Sequence, residues 1–170
     1  VPDHSGSPLS GRLSAARGYR NVRYIGSLSR LQPTAPAATS WRTVSLLSGP
    51  EPMRSHLENI LLEQLAGLDG PHLLIRGVPG SQDSKNGKIT IKGFADARFL
   101  AQHLPVAEYL ICRAGYSTLM DLDHLAIKAK LILIPTPGQT EQLYLARTQG
   151  QRKGGVTVFT QGKVDLGSVL

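Results

Sequence analysis

The chain has 170 residues, of which 41% are hydrophobic, and its 19 Lys and Arg outnumber its 12 Asp and Glu, giving a net charge of +7. This length fits one domain with a single core. No stretch approaches the roughly 20 consecutive apolar residues of a membrane helix, and the first residues lack the charged-then-apolar order of a secretory signal. We therefore expect a cytoplasmic protein, with at most peripheral contact with the anionic inner face of the membrane.

The basic charge favours polyanions, anionic lipid surfaces or phosphorylated small ligands and does not choose among them. Nucleic-acid binding is disfavoured, because only 5% of the residues are aromatic and the arginines are scattered from Arg12 to Arg152. The single cysteine, Cys112, excludes an internal disulfide and a multi-cysteine metal site. It ends an apolar run and is predicted to be buried rather than catalytic. The five histidines lack metal-ligand spacing, so neither a metal nor a cofactor is expected.

In chain order, residues 1–40 come first and are rich in Gly, Ser, Pro and Arg. This composition predicts an interdomain linker, and the apolar run at residues 21–28 predicts that the linker contributes one edge strand. Residues 41–170 are predicted to form the folded domain. Its first strand begins at Thr43, and a helix over residues 52–65 follows, in which apolar residues recur at helical spacing.

The remaining segments continue the alternation of strand and helix. Further strands are predicted from His72, from Lys88, over residues 106–112, over residues 131–135 and from Val156, and further helices over residues 96–103, after residue 118 and from near Thr140. Residues 78–87 are predicted to be a surface loop. Short apolar runs that alternate with helices favour a mainly parallel sheet covered by helices. The sequence therefore predicts an α/β, Rossmann-like domain of three layers.

Two turns with glycine follow predicted strands and should lie at the carboxyl edge of the sheet, where α/β proteins bind ligands. In LSGPE, residues 47–51, Gly49 permits close approach of a ligand, and the next helix N-terminus favours a phosphate. In CRAGYST, residues 112–118, Ser117 and Thr118 are suited to cap the next helix and leave its amides aimed at an anion. Plain strand-to-helix turns remain the alternative at both places.

Asp121 follows the second of these turns. Its carboxylate can accept two hydrogen bonds from a ribose diol. The apolar positions Leu119, Leu122 and Ala126 instead place it on the opposite, solvated face of the helix, so both interpretations stay open. A third turn, PTPGQTEQ at residues 135–142, carries Gln and Glu side chains that suit sugar hydroxyls, although the same composition is ordinary in loops.

The motifs ICRAGYSTLMDL and PTPGQTEQ, in this order within residues 94–145, resemble the donor-binding domain of glycosyltransferase family 28, the peptidoglycan GlcNAc transferases. A more distant similarity is to UDP-glucuronosyltransferases. Weaker, collinear similarity runs through residues 30–49, so the resemblance covers most of the chain. It implies the C-terminal half of a GT-B enzyme plus the interdomain linker. The missing N-terminal domain would bring the acceptor and the catalytic base.

The resemblance also implies a donor-binding set and no catalytic residue in this chain. In it, the backbone at Phe94 and Ala95 flanks the uracil, Asp121 replaces a ribose-binding glutamate, and Gln142 meets the donor sugar. The full set is Arg30, Gly49, Phe94, Ala95, Gly115, Tyr116, Ser117, Thr118, Asp121, Gln139, Glu141 and Gln142. The chain departs from the family in a first turn that is poorer in glycine, and in an aspartate one methylene shorter than the glutamate.

The implied activity is transfer of a hexosamine-type sugar from a UDP-sugar, with UDP-GlcNAc as the leading donor, to a lipid-linked or cell-envelope acceptor. Such an inverting hexosyltransferase needs no metal, and the chain alone is expected to bind UDP weakly and to transfer nothing. One alternative is a UDP-sugar hydrolase or epimerase on the same fold. A second alternative is a non-enzymatic basic module that binds nucleic acid or an anionic membrane.

Overall fold

The computed structural model describes residues 1–15, 18, 20–152 and 154–170, and within these ranges the chain forms a seven-stranded sheet and four α-helices. The strands are β1 (Trp41–Leu46), β2 (His72–Ile75), β3 (Ser84–Asn86), β4 (Ile89–Lys92), β5 (Ala107–Cys112), β6 (Lys130–Leu133) and β7 (Val156–Val158). The helices are α1 (Met53–Ala66), α2 (Ala97–His103), α3 (Tyr116–His124) and α4 (Thr140–Arg152). The predicted α/β class is confirmed.

The strand order in the sheet is β3-β4-β2-β1-β5-β6-β7, and every neighbouring pair is parallel except β3 with β4. Without the short strand β3, this is the order of a doubly wound Rossmann sheet. The chain reaches β2 on one side of β1 and later returns to place β5 on the other side. This reversal between β1 and β5 opens a crevice at the carboxyl ends of the strands, where such sheets bind ligands.

Helices and loops cover both faces of the sheet, because successive residues of each strand point to opposite faces. On one face, Val44 and Leu110 pack with buried residues of α2, α3 and α4. On the other face, Ile111 and Ile132 pack with α1 and with Leu166 from the C-terminal tail. The predicted mainly parallel, layered architecture is therefore correct, and the carboxyl edge of the sheet lies between the two covering layers.

The predicted edge strand at residues 21–28 is wrong. This segment is extended, but only two of its backbone N–H groups bond to the N-terminal residues, to the carbonyls of Val1 and Asp3. Its apolar side chains do not hold it against the sheet, since Ile25 and Leu28 are 60% and 65% exposed. A short apolar run therefore forms an extended surface segment here, and it pairs with no strand of the described sheet.

The predicted surface loop at residues 78–87 is also corrected in part. It contains β3, which pairs with β4 in antiparallel fashion and forms one edge of the sheet. The chain reverses at Gly87, whose φ of +55° is a conformation that glycine adopts without strain. All three residues of β3 are exposed, so no hydrophobic pattern marks it in the sequence.

The first part of the predicted linker packs on the domain. Asp3 is fully buried and accepts hydrogen bonds from the hydroxyls of Ser10 and Ser14, at 2.7 and 2.8 Å. Burial by itself would raise the pKa of Asp3, but these hydrogen bonds, together with those from the backbone N–H groups of Ser10 and His4, outweigh it and lower the pKa. The Nε2 of Gln149 in α4 donates to the carbonyl of Leu9 at 2.6 Å. The N-terminal segment is thus attached to α4.

Cys112 is buried at the end of β5, as predicted, and burial raises the pKa of its thiol to about 12. In the described ranges no helix is both long and apolar enough to cross a lipid bilayer.

Candidate functional site

A cavity of about 630 Å³ lies at the carboxyl ends of β1 and β2, beside the first turn of α3. Its wall combines residues 28–31 of the N-terminal segment, the ends of β1 and β2, residues 94–95 before α2, and one flank of α3. These parts are distant in sequence and meet at the crevice that the strand order creates. The cavity is therefore at the predicted ligand-binding edge.

Half of the predicted donor-binding set lines this cavity. These residues are Arg30, Phe94, Ala95, Ser117, Thr118 and Asp121. Phe94 is 47% exposed, while Ala95 beside it is buried, so the ring of Phe94 is the accessible part of this loop. The structure brings these residues together, and their contact with a ligand stays a prediction.

The N-terminus of α3 differs from the prediction in its capping. Gly115 is the N-cap residue, and among the described residues no side chain bonds to the backbone N–H groups of the first turn, so the expected capping by Ser117 and Thr118 is wrong. The helix begins at Tyr116, and the two hydroxyl residues therefore lie inside its first turn, on the cavity wall. First-turn N–H groups have no partner within a helix, and together with the helix dipole they favour an anion.

Asp121 is half-buried on the cavity wall. Leu119 and Leu122 form the buried face of α3. The helix ends at His124, so Ala126, which has a φ of +49°, lies outside it and does not extend the apolar stripe. Of the two interpretations of Asp121, the structure therefore favours a position facing the cavity rather than open solvent.

Gly49, Gly115 and Tyr116 belong to the predicted set but do not line the cavity. Gly49 has a φ of +104°, and a Cβ built on it would lie 3.5 Å from Oγ1 of Thr136 rather than in the cavity. The hydroxyl of Tyr116 donates to the carbonyl of Pro2, so this side chain holds the N-terminal segment. A diphosphate role for these three residues depends on their backbone alone.

The third turn also lies apart from the cavity. The Oε1 of Gln142 accepts a hydrogen bond from the backbone N–H of Thr136 at 2.9 Å, and its Nε2 donates to Oε1 of Gln139. Glu141 is exposed in the first turn of α4. In this structure Gln142 stabilises its own turn, and sugar binding by Gln139, Glu141 and Gln142 stays a prediction.

Arg113 connects the second and third turns, a role that no pattern in the sequence indicates. Its side chain is buried, and Nη1 donates to the carbonyl of Ile134 at 3.0 Å. Its Nη2 donates to the carbonyl of Met53 at 3.0 Å and to Oε1 of Gln161 at 2.7 Å. Burial lowers the pKa of Arg113 to about 10. Among the described residues no carboxylate pairs with it, so its charge adds positive potential near the α3 N-terminus.

Ser29 and Gly77 also line the cavity without having been predicted. A Cβ built on Gly77 would lie 2.9 Å from the carbonyl of Leu47, and its φ is +70°, so glycine is needed where the ends of β1 and β2 approach. A glycine two residues after the end of an apolar strand was a usable signal for this residue. Ser29 carried no such signal, because only tertiary contacts bring it to α3.

Within the part of the chain that the structure describes, no group of three or more His, Cys, Asp or Glu side chains is placed to hold a metal ion. The polar groups on the cavity wall are hydroxyls, one carboxylate, an arginine and backbone amides. Such a set suits a ligand that carries both an anionic group and hydroxyls.

No protein-family model and no curated protein sequence matches the chain. Solved structures do match. The glycosyltransferase of kitacinnamycin has a TM-score of 0.53 at 12% identity, over 84% of this chain and 38% of that one. The spinosyn forosaminyltransferase SpnP gives 0.53 at 15% identity, over 83% and 38%. The glycosyltransferase SnogD from Streptomyces nogalater gives 0.50 at 19% identity, over 84% and 36%.

These similarities show the fold: the chain has the architecture of a domain of GT-B glycosyltransferases. The chain spans little more than a third of the length of each of these enzymes. Their identities to this chain are low, so they do not define its substrate.

Proposed function

We propose that this chain is the donor-binding domain of a glycosyltransferase and that it holds a nucleoside-diphosphate sugar in the cavity between the β1 end and α3. The observation that carries the proposal is the convergence on one cavity of the α3 first turn, Asp121 and the loop at residues 94–95. The GT-B architecture and the order of the two sequence motifs support the same assignment.

In this proposal each part of the wall has a separate task. The first-turn amides of α3, with the hydroxyls of Ser117 and Thr118, bind the diphosphate, and the buried charge of Arg113 adds to the attraction. When the sugar is transferred, negative charge develops on the departing diphosphate, and preorganised donors stabilise that charge without rearranging. The Asp121 carboxylate accepts hydrogen bonds from the ribose, and the loop at residues 94–95 flanks the base.

The finer identity of the reaction is also a proposal. The motif resemblance favours UDP-GlcNAc as donor and a lipid-linked or cell-envelope acceptor, with the acceptor and the catalytic base held by another domain. A second candidate is a small-molecule acceptor, because two of the structural neighbours are named for kitacinnamycin and spinosyn. In either case this chain alone binds the nucleotide and transfers no sugar.

Calorimetric titration of the chain with UDP, with GDP as the comparison, tests the donor site. UDP should bind, and Asp121→Ala should weaken it by roughly 10- to 100-fold, because a hydrogen bond to a charged group contributes about 1.5–3 kcal/mol. Asp123→Ala is the matched control, since Asp123 lies on the same helix but does not line the cavity. Failure of UDP to bind at millimolar concentration would refute the proposal.

Assays with the same chain distinguish the proposed donor domain from a hydrolase and from a basic binding module. Release of free sugar from a UDP-sugar in the absence of an acceptor would indicate a hydrolase. Binding that falls steeply with salt and shows no preference among UDP, GDP and single-stranded nucleic acid would indicate a basic binding module. Sugar transfer by the chain alone at the rate of a complete enzyme would contradict the assignment as a donor domain only.

A further inference from the structure

Two serines of the N-terminal segment bond to two aspartates of α3. The Oγ of Ser27 donates to Oδ2 of Asp123, and the Oγ of Ser29 donates to Oδ1 of Asp121 at 2.5 Å. Both pairs join a serine hydroxyl to an aspartate carboxylate and lie two residues apart on both segments, and Oδ2 of Asp123 also bonds to Nε2 of His4 at 2.9 Å. Only the second pair, Ser29 with Asp121, lines the large cavity.

Ser29 is itself held in place. Its Oγ accepts a hydrogen bond from the backbone N–H of Leu31 at 3.0 Å, and the side chain of Leu31 is fully buried in the core with α2 and α3. A hydroxyl that accepts one hydrogen bond becomes a better donor in the next, so the pair with the carboxylate is strengthened. The core thereby fixes the hydroxyl, and the hydroxyl fixes Oδ1 of Asp121.

An aspartate side chain has two rotatable bonds, and an unrestrained carboxylate on a cavity wall would sample several orientations. With Oδ1 bonded to Ser29, one orientation is selected before any ligand arrives, and Oδ2 is left to accept a hydrogen bond. Preorganisation of this kind raises affinity because less side-chain freedom is lost on binding.

We propose that Ser29 is a positioning residue for Asp121 and that it orients this carboxylate toward a ring hydroxyl of the donor nucleotide. This inference rests on the proposed function, because it assigns the ligand hydroxyl to the ribose. Recognition of the ribose then depends on a segment about 90 residues away in sequence from α3.

The test compares Ser29→Ala with Ser27→Ala in calorimetric titrations with UDP and with 2′,3′-dideoxy-UDP, which lacks both ribose hydroxyls. Ser29→Ala should weaken UDP binding by about tenfold and leave dideoxy-UDP binding within about twofold, because the lost orientation affects only the hydroxyl contact. Ser27→Ala should leave both affinities unchanged. Ser29→Thr, which restores a hydroxyl, should recover most of the affinity for UDP.

A double-mutant cycle provides the second readout. In an Asp121→Ala background, Ser29→Ala should have no further effect on UDP binding, because Ser29 acts through that carboxylate. Equal weakening of UDP and dideoxy-UDP by Ser29→Ala would overturn the inference, as would an additive effect in the cycle. UDP binding that Ser29→Ala leaves unchanged overturns this inference alone, whereas a wild-type chain that binds no UDP overturns the proposed function as well.

Discussion

Arg113→Met should destabilise this fold more than most single substitutions, because it removes every donor of a buried guanidinium and retains much of its length. The guanidinium donates to the carbonyls of Ile134, Pro135 and Met53 and to Oε1 of Gln161. These acceptors belong to the turn after β6, to α1 and to the C-terminal tail. All three parts would lose the common hydrogen-bond donor that links them at the carboxyl edge of the sheet.

The size of the effect follows from two opposing contributions. Three of the bonds from Arg113 are 3.0 Å or shorter, and each hydrogen bond from a charged donor contributes about 1.5–3 kcal/mol. Burial lowers the pKa of Arg113 from its ordinary value to about 10, so removal of the charge recovers about 3 kcal/mol of desolvation. The net loss in the free energy of unfolding is about 1.5–6 kcal/mol, which corresponds to a fall in Tm of roughly 3–24 °C.

Urea and thermal denaturation measure this loss directly. The control is Arg98→Met, since Arg98 is exposed and makes no side-chain hydrogen bond or ion pair among the described residues, and it should change stability by less than about 0.5 kcal/mol. Arg113→Lys should fall between the two, because the charge is kept but the planar fork is lost. An Arg113→Met variant as stable as the wild type would refute the reasoning and show that the cost of burying the charge exceeds the value of its hydrogen bonds.

Two further predictions concern titratable groups whose pKa is shifted by burial. Burial lowers the pKa of His72 and of His103, and Nδ1 of His103 accepts from Nε1 of Trp41 at 2.9 Å. As the pH falls, these histidines are protonated first in the unfolded chain, at about pH 6.5. The free energy of unfolding should therefore be constant above that pH and decrease below it. In thermal melts from pH 8 to 5, His103→Gln should make Tm less dependent on pH. Cys112, with a pKa of about 12, should not react with a thiol reagent at pH 8 until urea unfolds the chain, and rapid reaction of the native protein would contradict its burial.

Much of the fold was predictable because its signals are local. The helix predicted over residues 52–65 is observed as Met53–Ala66, and the strands predicted from His72 and Lys88 lie within one residue of their observed starts. Hydrophobic periodicity and glycine turns act within a few residues, so they are visible without knowledge of the sheet order. The errors were at the surface, in residues 21–28 and in β3, where burial supplies no pattern.

The candidate site, unlike the fold, was largely unpredictable from local signals. Sequence motifs suggested residue types for an anion and for hydroxyls, but they did not indicate that the side chain of Gln142 accepts from the N–H of Thr136 instead of lining the cavity with Asp121. They also gave no indication that Ser29 bonds to Asp121 or that Arg113 joins two turns from a buried position. These relations depend on which strands become neighbours and on which segments the core anchors.

By itself, the sequence determined the alternation of strands and helices, the mainly parallel sheet and the turns at its carboxyl edge. The reason is that hydrophobic periodicity and turn residues are properties of short segments. Only the tertiary structure decided which of those turns share a cavity, which side chains face it and which are used to hold the turns together. The contact of Ser29 with Asp121 joins residues about 90 positions apart. It forms only when packing of the hydrophobic core brings the two segments together, and no local sequence pattern encodes it.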